Sequence, residues 1–205
     1  MGFTWAIALR FKQKEFSRAS NMTQPKINLT TLKKHLKTRS QAELIADIAE
    51  LYKRFQPVKD YYQIQLYPQD EKQVADKYKK IIEDEFFPAR GYGRAKLSVA
   101  KKAITEYKKV NKTVVGLIDI MLFYVEQGVR FTDAYGDIDE PFYISMETMY
   151  EKAVNEIIKH GQKDIFQKRC QKIVKDTSDM GWGFYDTLSK IYEDNHPLSL
   201  LPSNQ

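Results

Sequence analysis

Three groups of residues have types and spacings that could do chemistry. The first is Arg90-Gly91-Tyr92-Gly93-Arg94, followed by Lys96, Lys101 and Lys102. Glycine lets backbone N–H groups come close to a phosphate, and a helix starting just beyond adds the positive end of its dipole. The spacing fits neither a Walker loop nor a dinucleotide fingerprint. The competing interpretation is a solvated basic loop. The second is Asp119, the one charged residue in the apolar run Val114–Val125. A carboxylate there must find a partner or hold its proton, which makes it a buried polar group of interest and a candidate acid or base. The structural alternative is a bond to a neighbouring helix, with Lys101 or Lys102 as donor. The third is Asp133, Asp137, Asp139 and Glu140, oxygen donors of the kind that hold a divalent cation. The EF-hand order fails here, because Gly136 stands fourth and Ile138 takes the place of the required glycine. A solvated turn ahead of Pro141 is the alternative.

Other reactive side chains are scattered. Glu193 and His196 form one Glu-x-x-His, whereas a carboxylate-bridged metal bundle needs two such pairs and two further glutamates. His35 and His160 are isolated. Cys170 follows the apolar spacing of its segment and reads as a packed thiol. There is no His-Glu-x-x-His and no Gly-x-Ser-x-Gly. No cofactor and no catalytic set is therefore expected, and an enzyme would have to be a hydrolase built on Asp119 or on the Asp133–Glu140 loop.

Charge is unevenly placed. The formal total is +6, but residues 1–21 supply +3 of it. Residues 88–115 hold eight Lys or Arg against Glu106 alone, and residues 116–160 hold nine Asp or Glu against Arg130, Lys152 and Lys159. Such a pair of segments is either a nucleic-acid patch beside an acidic region or two neighbouring helices that neutralise each other. The second interpretation is the simpler. Lys33, Lys34, Lys37 and Arg39 add a smaller basic group near the start. A single cysteine suits a reducing cytoplasm. The apolar start Phe3–Leu9 is short and has its basic residues after it, the reverse of a secretory signal. Residues 1–21 read as a mis-called start ahead of Met22 or a disordered extension. The alternative is an amphipathic docking segment built on Phe3, Trp5, Ile7, Phe11 and Phe16.

The elements that must position these groups are all helical. Tyr52-Lys53-Arg54-Phe55, Tyr78-Lys79-Lys80-Ile81 and Tyr107-Lys108-Lys109-Val110 each close an amphipathic segment. Either the lysines meet the helix dipole and the tyrosine packs inward, or the tyrosines are stacking platforms for single-stranded nucleic acid. Apolar residues at helical spacing predict about nine helices, with boundaries at Thr30 or Thr31, the Ser40/Glu43 capping box, Pro57, Pro68, the Asp70/Gln73 cap, Pro88, Gly161 and Pro197. Val114–Val125 is apolar nearly all round and marks the buried centre. It is shorter than the roughly 20 residues a membrane span needs. The expected architecture is all-α: one irregular helical bundle, or a short stack of helical hairpins, over residues 22–197, with a flexible tail at 198–205.

Two resemblances accompany these residues. Leu29-x-x-Leu32-Lys33-x-x-Leu36, Glu43-Leu44-Ile45, Leu51-Tyr52-Lys53 and Phe55-x-x-Val58-Lys59-x-Tyr61 resemble the opening of an uncharacterised bacterial family, a domain of unknown function, over residues 27–62. The resemblance implies a bacterial, mainly helical protein and implies no activity. Thr31–Leu36 and Ala42–Ile45 also resemble the helix pair of the DNA-binding SAP motif, with its longer glycine-containing loop replaced by Lys37-Thr38-Arg39-Ser40. The function expected from all this is a non-catalytic binding or scaffolding module with a macromolecular partner. The runner-up is nucleic-acid binding through residues 88–112, aided by the Lys33–Arg39 group.

Overall fold

The computed structural model describes residues 27–195. The extension 1–21, the tail 198–205 and His196 lie outside the described residues. Among these residues there are nine α-helices and no strand: α1 (Leu29–Leu36), α2 (Gln41–Arg54), α3 (Gln56–Leu66), α4 (Glu71–Phe86), α5 (Leu97–Val110), α6 (Val114–Tyr135), α7 (Glu140–Lys159), α8 (Lys163–Lys175) and α9 (Phe184–Asn195). A short 3-10 turn, Pro68–Asp70, stands before α4. The all-α expectation is met. None of these helices is long and apolar enough to cross a membrane.

The chain divides into two compact units between Glu50 and Leu51. In the first, α1 is capped by Asn28, whose Oδ1 accepts from Thr31 N at 2.9 Å. The cap is therefore earlier than Thr30 or Thr31, because Asn28 is extended and its short side chain reaches the orphan N–H. The Ser40/Glu43 box forms as read: Glu43 Oε2 accepts from Ser40 N at 2.8 Å, and Ser40 Oγ accepts from Glu43 N at 3.3 Å.

The second unit holds the core. Helix α6 is its centre, burying Leu117, Ile118, Ile120, Met121, Leu122, Tyr124 and Val125 against α4, α5 and α7. The helix runs to Tyr135, well past the apolar run, since Gln127, Gly128, Val129, Phe131 and Thr132 continue the buried face. Gly128 has a steric reason: a Cβ there would lie 2.2 Å from Met146 Sδ of α7. Of the periodic residues, Val74, Tyr78, Ile82 and Phe86 of α4 and Ala100, Ile104 and Tyr107 of α5 are buried as their spacing predicts, whereas Ile81 is exposed and Leu97 half-buried. Each large one contributes about 1.5–3 kcal/mol by leaving water. Phe86 meets Tyr124, Phe131 and Phe142 edge-on, which joins α4, α6 and α7 at one end of the core.

The Tyr-Lys-Lys closures resolve differently. Tyr78 and Tyr107 pack inside, ring centroids 5.5 Å apart, while Tyr52 is exposed. Two of the three are core, not platforms. Asp70 makes no capping bond to α4; its carboxylate accepts instead from Gln63 Nε2 of α3.

Candidate nucleic-acid interface

The basic loop between α4 and α5 is held by backbone. A Cβ on Gly93 would lie 1.8 Å from the carbonyl oxygen of Phe86, so glycine is required there for close approach to the chain's own backbone. Ala95, at φ +44°, donates its N–H to Glu85 O at 2.8 Å. Lys96 N donates to Glu85 Oε2 at 3.3 Å. These contacts change two sequence expectations. The loop is anchored at Gly93 rather than free, and the start of α5 already receives a carboxylate from α4. Gly91, at φ +77°, has open space around it and serves the turn.

What the loop presents outward is cationic and aromatic. Arg90 and Arg94 are exposed, and Tyr92 is 85% exposed between them. Lys96, Lys101, Lys102, Lys108 and Lys112 continue the exposed set along α5. None of these seven cations enters an ion pair among the described residues; Lys109 alone in the segment does, with Glu106 at 2.7 Å.

The acidic stretch forms no ion pair with them: among the described residues none joins 88–115 to 116–160, which corrects the simpler expectation. Several acids of 116–160 are engaged elsewhere, while Asp133, Glu140 and Glu151 are exposed without an ion pair among the described residues. Asp119, expected to meet Lys101 or Lys102, meets Lys79 Nζ of α4 at 2.6 Å and Arg169 Nη1 of α8 at 2.6 Å. Arg169 also donates its Nε and Nη2 to Glu126 at 2.6 and 2.8 Å, a two-pronged grip on a carboxylate about two turns further along α6. Sequence reasoning missed Lys79, Glu126 and Arg169. Their one signal is position: each sits beside an apolar residue on a helix that packs against α6 or is α6. Burial pushes the Asp119 carboxyl up, but the hydrogen bonds and charges of Lys79 and Arg169 outweigh it and hold the group below the ordinary carboxylate range.

A pocket of about 370 Å³ reaches Asp119 from the side of Glu71, Tyr107 and Phe166. Its polar wall is a strut between helix ends. Gly116 N donates to Thr113 Oγ1 at 3.1 Å, and Thr113 Oγ1 donates to Glu71 Oε1 at 2.7 Å. The Tyr107 hydroxyl is buried here without a hydrogen-bond partner among the described residues, and burial raises its pKa well above the usual phenol range, with the nearby carboxylates of Glu71 and Asp119 adding to the effect.

The acidic loop is not a loop throughout. Asp133 lies within α6 and Glu140 begins α7. Asp139 caps α7 by accepting from Phe142 N at 3.0 Å. Asp137 accepts from Tyr143 Oη at 2.9 Å and from Gly181 N at 3.3 Å. Among the described residues no three His, Cys, Asp or Glu side chains gather as a metal site would require. Cys170 is fully buried, and desolvation pushes its thiol up to about 12.

In the first unit Lys33, Lys34 and Lys37 are exposed without ion pairs among the described residues, whereas Arg39 is taken up by Glu43 at 3.2 Å and Asp47 at 3.5 Å. Arg39 thus ties the loop of residues 37–40 to α2.

Neither the curated proteins nor the solved structures contain a match to this chain. A family of unknown function, DUF6155, matches over residues 27–196, far beyond the opening stretch that carries the resemblance in the sequence. The chain belongs to that family, DUF6155.

Proposed function

We propose that this chain is a non-catalytic binding module that meets nucleic acid through the loop Arg90–Lys96 and the outer side of α5. The observation that carries this is the set of seven exposed cations from Arg90 to Lys112 that no carboxylate of the described chain neutralises. Keeping that many cations unpaired on one short segment is costly in self-repulsion unless a polyanion relieves it. Phosphates every few ångströms do so, and release of their counterions drives the association. Tyr92, held between Arg90 and Arg94 by an anchored loop, supplies a face on which an unpaired base can stack. A bacterial, cytoplasmic setting fits the resemblance and the single cysteine.

Against a hydrolytic role stands the state of the acids. Asp119 is ionised and held by two cations, so it has no proton to give and little basicity to use. Asp137 and Asp139 spend their oxygens on structural bonds.

Fluorescence anisotropy of the full chain with labelled 20-nucleotide single strands and duplexes tests the proposal. Binding should fall steeply between roughly 50 and 200 mM salt. Arg90→Ala with Arg94→Ala and Lys96→Ala should weaken it and flatten the salt slope by about one unit for each phosphate no longer neutralised. Unchanged binding in the triple variant would remove this surface from the account.

A further inference from the structure

A groove of about 470 Å³ lies between α5, α6 and α7, next to the cationic surface. We propose that it seats one nucleotide unit, the base on its apolar floor and the flanking phosphate between the lysines on its rims. This rests on the nucleic-acid proposal above and names where a strand would be gripped.

The size is that of a small-ligand pocket. The floor is Ile104, Leu117, Met121 and Met149, four side chains at 6–9% exposure that present only their upper edges. Two methionines there are informative. The thioether is polarisable and adapts to a flat ring, so it favours an aromatic face over an aliphatic chain. The rims are basic on both sides. Lys101 and Lys108 stand on α5 and Lys152 on α7, and none enters an ion pair among the described residues. The one acid at the groove, Glu156, is turned to its own helix end: its Oε2 lies 3.1 Å from His160 Nε2 and its Oε1 3.9 Å from Lys159 Nζ. It forms no ion pair with the lysines of the groove. Asn155 adds an exposed amide, able to donate to and accept from a base edge. Lys101 belongs both to the groove and to the surface that starts at Arg90, so a strand followed along α5 arrives at the groove without a break in cationic contacts.

A fatty acid would use the floor and one lysine, and would leave the opposite rim and Asn155 unused. An acidic helix needs a wide exposed apolar strip, which four nearly buried side chains do not provide. The nucleotide uses all three features.

The test uses the full chain, with methyl-labelled methionine, and three probes: a fluorescent trinucleotide, its abasic analogue and a 20-nucleotide strand. The trinucleotide should shift the Met121 and Met149 methyl resonances through the ring current of the seated base. Lys152→Glu, at an exposed position outside the Arg90–Lys112 segment, should weaken the trinucleotide by about tenfold. Removing the bases should cost about tenfold as well. Arg90→Ala with Arg94→Ala should weaken the 20-nucleotide strand while leaving the trinucleotide nearly unchanged. If the 20-nucleotide strand binds but the trinucleotide neither binds nor moves the methionine methyls, the groove proposal is overturned and the surface proposal stands. Equal affinity for the abasic probe also overturns the seat, leaving phosphate contact alone. Displacement of the trinucleotide by a fatty acid or an acidic peptide of higher affinity overturns it in favour of that ligand. Failure of both oligonucleotides to bind overturns both proposals.

Discussion

Arg169 shows how much of this fold rests on single side chains. Its guanidinium joins two carboxylates of α6 to α8, and Lys79 closes the group from α4. The side chains are a quarter to a third exposed, or a little less for Lys79, so the cost of breaking the group lies below that of a sealed ion pair. Arg169→Met should cost about 2–3 kcal/mol in a urea titration, mainly from Glu126 left without its donor, since Asp119 keeps Lys79. Arg169→Lys should recover only part, because an ammonium cannot grip two carboxylates in a fork. The pH dependence has a definite sign. The folded Asp119 carboxyl titrates below its ordinary value of 3.8, so its contribution is present above that pH and is lost as pH falls through the folded value. Asp119→Asn should therefore destabilise the protein by about 1–3 kcal/mol at neutral pH, and the gap to wild type should narrow below about pH 4. A gap that does not narrow at all as pH falls below about 4 would mean that Asp119 acts through shape rather than charge. Cys170, fully buried and pushed up to about 12, should not react with a thiol reagent at mildly alkaline pH until the protein unfolds.

At the scale of elements, the junctions matter most. The N-terminus of α6 is tied to the start of α4 by the bonds among Gly116, Thr113 and Glu71, and Gly116 is glycine because a Cβ would lie 2.5 Å from Tyr107 Oη and 3.0 Å from Glu71 Oε1. Gly116→Ala should cost about 1–3 kcal/mol, measured by thermal unfolding. The loop after α4 makes a sharper case. Gly93→Ala places a methyl against a backbone carbonyl that cannot rotate away. It should release the loop from Phe86 and Glu85, lower stability and weaken the grip on a strand, although every cation remains. Gly91→Ala meets no neighbour, and its effect should be confined to the strain of the left-handed turn, about 1 kcal/mol.

At the scale of the whole molecule, charge is sorted by use. Asp119 and Glu126 of α6 go to the Arg169 group and Asp137 and Asp139 to bonds at the start of α7, while the lysines and arginines of residues 90–112 go to the outside. The second unit is centred on α6, which packs against α4, α5, α7 and α8. Its amides should be the slowest to exchange with solvent, opening only with the whole unit. Hydrogen-exchange mass spectrometry would show this as a protected peptide over 117–129. Equal protection across α6 and α9 would argue for a core spread evenly over the helices instead.

Most of the helical layout is legible in the chain because its causes are local. Ser40 with Glu43, Pro57, Pro88 and Gly161 act within one turn, and apolar spacing in α4, α5 and α7 names the buried face without knowledge of what covers it. Asp119 also stands out, since an acid in an apolar run must be answered. Its partner does not. Arg169 is 50 residues away in sequence, and only the rotation of α8 against α6 brings its fork to that carboxylate. The same holds for the glycines: sequence shows Gly93 and Gly116 as small, and the packing shows against which atoms they must be small. Whether the basic and acidic stretches cancel is likewise open in the sequence, because charge in water acts over about 10 Å and depends on which faces of two helices meet. The tertiary structure turns Asp119, Glu126, Asp137 and Asp139 to other partners and leaves the cations of α5 to the solvent.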